Sequence, residues 1–490
     1  MRLPPKPRLP DPLEKMEKLL TKGLAFPNTI TCWMLHCTTV PLGVMVRGTL
    51  EWLLEETVLQ RLFEKHAPEQ YTRELTISAL VNLLIQVSAG AHRSVYAAYK
   101  ADQASPNPTI STSYQAVYTK LGRVNPSASE SLVRFSAEKL GTSLQFLPPA
   151  DHEPLPGYRL RILDGNVLTG TDHRLAPLRK WLNTCLPGKS LVVYDAARGL
   201  VTDLVLCEDA YTQERALLID ILPRVLADDL WLADRNFCTT RFAFGVNARE
   251  GKFIVRQHKL NLPCHAMDKL TKRGRTETGE VYEQRVRVID PDNGEVLLLR
   301  RIEVHLFEKT RDGDRTIAFL TNLPVEVTAE QIAETYRKRW TIEKHFAFLT
   351  ESLHCEVPGL GQPRAALFMF AMALVAGNVL TVVRASLRAA HGCPAEAEVS
   401  GYYLADEVAA DYRTLMKYLP PDQWTGWRIL APREFAQLLT EIARHVNLKA
   451  LTRSQRGPKK PPAVKPVYNK KHKHYSTARL QQEAQIEDSC

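Results

Sequence analysis

The chain is 490 residues long, 44% hydrophobic and 24% charged; at roughly 150 residues per domain it is too long for one small unit, and its composition is that of a soluble globular protein. Neither an acidic disordered chain nor a membrane bundle fits these proportions. The net charge of +10, from 64 Lys and Arg against 54 Asp and Glu, is concentrated near one end.

The N-terminus, MRLPPKPRLP, has no apolar stretch of the kind that opens a secretory signal, and the nine cysteines form no paired framework. The closest two, Cys32 and Cys37, suit neither a disulfide scaffold nor a zinc knuckle. A cytoplasmic protein is expected. From Pro12 to about Gln145 apolar residues recur at helical spacing, with breaks at Pro106, Pro108 and Pro126, which predicts an all-α unit over 1–150. Within it, Ser111 to Leu121 reads either as an ordinary amphipathic helix or as one presenting Ser, Tyr, Gln and Lys to a DNA groove.

The pattern then changes. Tyr158 to Leu163 alternates and ends at Asp164-Gly165, and Ser190 to Tyr194 and Gly199 to Cys207 are β-branched runs, so an antiparallel meander is predicted. Thr212 to Leu226 has helical spacing, and Leu230 to Ala233 is a short strand ending at Asp234. Residues 252–258, 280–290, 296–308 and 316–320 read as a separate β segment, with Asp292-Asn293-Gly294 as a turn signal. Thr328 to Leu353 returns to helix, opened by a capping box of Thr328 and Gln331.

Ala365 to Val383 carries no charge over 19 residues, close to membrane-spanning length. Gly377, Asn378 and Thr381 interrupt it and Arg384 follows, so a buried core helix is expected. Residues 449–479 hold ten basic side chains, among them Lys459, Lys460, Lys470, Lys471 and Lys473, and no acidic one; Glu483, Glu487 and Asp488 follow, leaving residues 1–448 at +3. Such a tail suits nucleic acid, because each cation near a phosphate releases condensed counterions; a solubilising tail is the plainer reading.

Asp164 and Asp234 each end a short apolar strand, where a buried carboxylate needs a cation or several donors. Leu160, Ile162 and Asp164 share one strand face, so the acid projects beside core residues; a turn-forming Asp-Gly is the alternative. On the helix around Glu343, at about 100° per residue, Arg339, Glu343 and Thr350 fall within about 40° of one another, beside an apolar stripe of Ile342, Phe346, Leu349 and Leu353. A polar edge with Tyr336, Arg339 and Glu343 suits a carboxylate beside a metal and an Arg beside a phosphate; a surface ion pair between Arg339 and Glu343 is the plainer alternative.

In this order, ILDGN at 162–166, LADRNF at 232–237 and YRKRWTIEKHF at 336–346 resemble the DDE transposases of the IS4 family. Asp234 stands 70 residues after Asp164, and Glu343 another 109 later, room for the insertion that this family places there. The resemblance implies an α/β fold: a ribonuclease-H-like mixed sheet flanked by helices, with a β-rich insertion and an all-α N-terminal unit. It implies a helical DNA-end-binding domain at 1–150, a catalytic domain in two parts at 151–240 and 326–390, the insertion at 241–325, a helical region at 391–448 and a basic disordered tail at 449–490. Asp164, Asp234 and Glu343 are then expected to bind two Mg²⁺ ions, with Mn²⁺ as a substitute. Tyr336, Arg339 and Arg235 are expected to hold phosphates at a transposon end, and a homodimer is expected on double-stranded DNA comprising the terminal repeats and the target.

Two positions depart from the pattern. Thr350 stands where the family has a Lys, and Lys344 lies too far around the helix to replace it. No Trp occurs in 235–335 to stack on a flipped base, leaving Phe307 or Phe319. His345 is predicted to face away from the acids, and His173 reads as a DNA contact or a turn cap. The activity implied is cleavage of DNA ends followed by joining of the 3′-OH to target DNA. The alternatives are a ribonuclease-H-like nuclease without strand transfer and an inactive DNA-binding descendant.

Overall fold

The computed structural model describes residues 35–66, 74–105, 108–149, 155–168, 187–258, 260–310, 313–357, 360–419 and 421–453. The five tail lysines and His173 lie outside the described residues.

Among the described residues the chain before the first strand is helical, with α1 (Pro41–Leu53), α2 (Glu56–His66), α3 (Ile77–Ser88), α4 (Val95–Gln103), α5 (Tyr114–Leu121) and α6 (Pro126–Leu144). Their starts follow from local chemistry. The side chains of Thr76, Ser94 and Ser113 accept the N–H groups of Ala79, Ala97 and Ala116, and Asn125 accepts that of Ser127. On α5 the apolar residues Val117 and Leu121 turn inward, and the Lys120 amine is spent on the Leu75 carbonyl, so this cation does not face a groove.

The meander is present as β1 (Arg159–Val167), β2 (Lys189–Asp195) and β3 (Leu200–Cys207), each antiparallel to the next. A broken helical segment spans 214–224, and β4 (Asp229–Ala233) then pairs parallel with β1. After α7 (Thr240–Asn247), β5 (Lys252–Arg256) pairs parallel with β4. The order β3-β2-β1-β4-β5, with only β2 antiparallel to its neighbours, is a ribonuclease-H-like arrangement.

The predicted β segment is not separate. β6 (His265–Ala266), β7 (Thr271–Arg275), β8 (Gly279–Ile289), β9 (Val296–Leu306) and β10 (Thr316–Thr321) extend the same sheet beyond β5, giving ten strands. The sequence pattern marked β8, β9 and β10 but not the short β6 and β7, and it could not say which neighbour each strand would pair with. The turn between β8 and β9 falls where the sequence places it, with Gly294 at φ +75°, a conformation open to glycine without steric cost.

The chain then runs through α8 (Ala329–Arg337), α9 (Trp340–Ser352), α10 (Pro363–His391), α11 (Gly401–Tyr418) and α12 (Pro432–Ala443). The capping box of Thr328 and Gln331 opens α8 as predicted. The helix predicted from Thr328 to Leu353 is, however, two helices. At the junction Arg339 N–H donates to Tyr336 O and Ile342 N–H to Arg339 O, three-residue bonds that tighten the turn where a straight helix would make four-residue ones.

The sheet separates two cores. Leu163, Leu191, Val193, Trp231 and Ala233 face the 214–224 segment and α7. On the opposite face Leu160, Ile162, Val192 and Leu232 share one core with the N-terminal helices and with α9 to α12, so those helices do not stand apart as a domain of their own. The apolar run expected to be a core helix is one: α10 is apolar enough to cross a membrane, yet 89% of its most apolar window is buried inside the protein. Its Asn378 accepts the Val201 N–H at 2.8 Å and donates to the Val201 carbonyl and Ser136 Oγ at 3.0 Å, satisfying the outer edge of β3.

Candidate active site

The last paired residues of the parallel β1–β4 ladder are Leu163 and Ala233. The next residue on each strand is an aspartate, so Asp164 and Asp234 stand side by side, with backbones about 5 Å apart at ordinary strand spacing. Both follow the alternation of Ile162 and Leu232 toward the larger core. β1 itself does not stop at Asp164 but continues to Val167, paired with β2 alone. The turn-forming Asp-Gly reading is thereby excluded.

The third acid arrives from α9. Ile342 and Leu349 bury one side of this helix, and Glu343 lies at its first turn. Arg339 Nη2 bonds Glu343 Oε1 at 2.5 Å, and Nη1 bonds Asp164 Oδ2 at 3.3 Å. The simple surface pair is therefore wrong: Arg339 is largely buried and bridges two acids that are 179 positions apart in sequence.

Asp164 is strongly perturbed. Burial pushes its carboxyl up, the Arg339 guanidinium opposes this, and the nearby Asp234 and Glu343 charges raise it again, to about 7. Asp234 accepts the Asn236 N–H at 2.8 Å and caps the short turn that follows. Among the described residues no three His, Cys, Asp or Glu side chains converge on one point as they stand. The donor set still fits a hard divalent cation, being all oxygen, with Asp164 and Glu343 joined by one arginine and Asp234 on the strand beside Asp164. Arg339 takes one oxygen of each, Asp164 Oδ2 and Glu343 Oε1.

Tyr336 is only 7% exposed and its ring packs 4.3 Å from Phe319. It stands behind Arg339 and not on the surface, and burial raises its hydroxyl well above the usual range. Neither Tyr336 Oη nor Arg339 Nε has a well-directed hydrogen-bond partner. Arg235 is exposed beside Asp234. Phe319, 3% exposed, is too deep to meet a base, whereas Phe307 is half exposed beneath Arg275.

Trp340, which spacing arguments passed over, is 59% exposed and carries the Arg339 guanidinium 5.5 Å from its ring centre. An aromatic residue directly after the arginine was the available signal. Thr350 donates to the Phe346 carbonyl of its own helix at 3.1 Å, so its hydroxyl is engaged with backbone. His345 does turn from the acids, as predicted: its ring lies 5.0 Å from that of Tyr194, and burial lowers its pKa to about 4.

Sheet order and paired acids together define a ribonuclease-H-like core. Comparison with protein families narrows the class: residues 155–376 match the transposase DDE domain. No curated protein matches the sequence. A solved structure that does match is the cryo-EM piggyBac transposase synaptic complex with hairpin DNA, at 8% identity, covering 78% of this chain and 83% of that one, with a TM-score of 0.37. That score is too low to equate the two folds.

Proposed function

We propose that this protein is a DNA transposase of the IS4 type, which binds the ends of an insertion sequence, cleaves them and joins the freed 3′-OH ends to target DNA. The observation that carries this reading is the meeting of Asp164 and Asp234, adjacent on parallel strands, with Glu343 from a helix that also brings Arg339. Asp164, Asp234 and Glu343 would hold Mg²⁺ or Mn²⁺, and two such ions supply Lewis-acid stabilisation of the attacking and leaving oxygens in an in-line displacement at phosphorus.

The protein's own contribution is placement and charge. Arg339, freed from Asp164, presents a planar fork matched to a phosphate, and exposed Arg235 supplies a second cation on the neighbouring strand end. Tyr336 supports Arg339 from behind through its packing on Phe319. Exposed Trp340 offers a face on which a base can stack. Phosphate contacts fix register but carry little sequence information, so reading of the repeats falls to the N-terminal helices, where Tyr96 and Tyr114 form an exposed aromatic pair 5.4 Å apart beside Lys100. The lysines Lys459, Lys460, Lys470, Lys471 and Lys473 add salt-sensitive affinity, and two ends held together call for a homodimer on DNA.

A second reading has one observation in its favour. With Thr350 bonded to its own helix, the edge beyond Glu343 offers no cation, as expected of an inactive DNA-binding descendant. The deciding experiment incubates labelled duplexes bearing the element's ends with wild type and with Asp164→Ala, Asp234→Ala and Glu343→Ala. Divalent-ion-dependent nicking and joining, lost by about 10³-fold or more in each variant, supports the transposase. Nicking without joining indicates a nuclease, and end-specific binding without cleavage indicates the inactive descendant.

A further inference from the structure

Beyond the last paired residues of β1 and β4, Asp164 and Asp234 are connected through residues on the opposite face of the sheet. Gly165 follows Asp164, so a side chain there would point away from the acids. Its space is filled by Glu214, from the 214–224 segment: a Cβ on Gly165 would lie 2.3 Å from the Glu214 carboxyl carbon and 2.5 and 2.6 Å from its oxygens. Asn236 donates through Nδ2 to Glu214 Oε2 at 2.8 Å, while its backbone N–H donates to Asp234 Oδ1 at 2.8 Å. Gly165 N–H donates to Asp164 Oδ1 at 3.0 Å. These contacts run from Asp234 through Asn236, Glu214 and Gly165 to Asp164 without involving Arg339 or Glu343.

Such a tie has a physical reason. The β1–β4 ladder ends at Leu163 and Ala233, so no main-chain pairing between these strands holds the residues beyond, and two carboxylates repel each other there. We infer that Glu214 is a positioning residue: wedged over Gly165 and bonded to Asn236, it fixes the separation of Asp164 and Asp234. A side chain at 165 would displace the Glu214 carboxylate. Glu214 is not a cation ligand on this reading, since Oε2 is engaged by Asn236 and the carboxylate lies over the opposite face. The inference rests on the proposed role of the two aspartates.

The test measures Mn²⁺ binding to the full chain without DNA by electron paramagnetic resonance, alongside kcat and KM for cleavage of labelled ends. Glu214→Ala is expected to weaken Mn²⁺ binding by about 10- to 100-fold, the scale seen when partners of metal ligands are removed. It should lower kcat while KM for DNA stays within about twofold. Glu214→Gln still accepts from Asn236 and should restore most of the loss. Gly165→Ala should weaken Mn²⁺ binding alone but add nothing in a Glu214→Ala background, a non-additivity that general destabilisation does not produce.

Wild-type Mn²⁺ binding and kcat in Glu214→Ala would overturn the inference, as would additive effects of the two changes. Abolition of binding by Glu214→Ala and Glu214→Gln alike would make Glu214 a ligand and also overturn it. If wild type neither binds Mn²⁺ nor cuts DNA, the proposed function fails and takes the inference with it, a result distinct from a failure confined to the variants.

Discussion

Two arginine and carboxylate clusters sit about 10 Å apart along β1, by the ordinary strand rise, and they are built differently. Arg161 bonds Asp195 at 2.7 Å and Asp229 at 3.3 Å, Arg159 also reaches Asp229, and the backbone N–H groups of Leu226 and Arg198 donate to the same two acids. Two carboxylates there have Arg159, Arg161 and the more distant Arg198, besides further donors. At the other cluster Arg339 alone serves Asp164 and Glu343, with Asp234 alongside, and the Asp164 carboxyl is pushed up to about 7. A buried cluster whose charges balance acts as a clamp, whereas one with surplus carboxylate calls for another cation.

The largest test of this contrast sets one arginine against the other. Arg161→Ala removes the shared partner of Asp195 and Asp229, leaving them Arg198 and Arg159 with their backbone donors, and is expected to cost about 1–3 kcal/mol of stability, with or without divalent ions. Arg339→Ala should also lose stability in chelator, but Mg²⁺ or Mn²⁺ should recover it, by about 2.7 kcal/mol at a hundredfold excess over the dissociation constant. Urea unfolding of both variants under both conditions checks the pair. Equal responses to metal would remove the distinction.

The pH dependence of the metal-free protein sharpens it next. Asp164 has a folded-state pKa raised above its ordinary 3.8 to about 7, so between these values the folded state binds more protons than the unfolded one. Stability contributed by the protonated form is therefore lost as pH rises through this window. Asp164→Asn should flatten that slope in thermal melts from pH 4 to 7, and an unchanged slope would show that Asp164 does not carry it.

The smallest effect is expected at Thr350. Thr350→Lys places a cation where the Phe346 carbonyl now takes the hydroxyl. DNA affinity should rise a few-fold at low salt, and the slope of log affinity against log salt should steepen by about one. An unchanged slope would place residue 350 away from the DNA path.

Spacing and alternation in the sequence were enough to determine the meander, the capping box at Thr328, the turn at Gly294 and the order of the three acids, because each depends on residues close in the chain. The resemblance at 162–166, 232–237 and 336–346 added their grouping. Alternation even placed Asp164 on the core face beside Ile162.

Tertiary structure decided what local patterns cannot encode. The β strands after residue 252 joined the main sheet, since pairing partners depend on packing and not on period. Tyr336 was a polar edge residue on a straight helical wheel, and in the fold, with the helix broken at 338–339, it is buried against Phe319. Glu214 gave no signal in sequence, because its neighbours Gly165 and Asn236 lie 49 and 22 residues away and meet it only after β1 and β4 have paired. Residues that act through near neighbours leave their mark in the sequence, and residues that act across the sheet acquire their role when the chain closes.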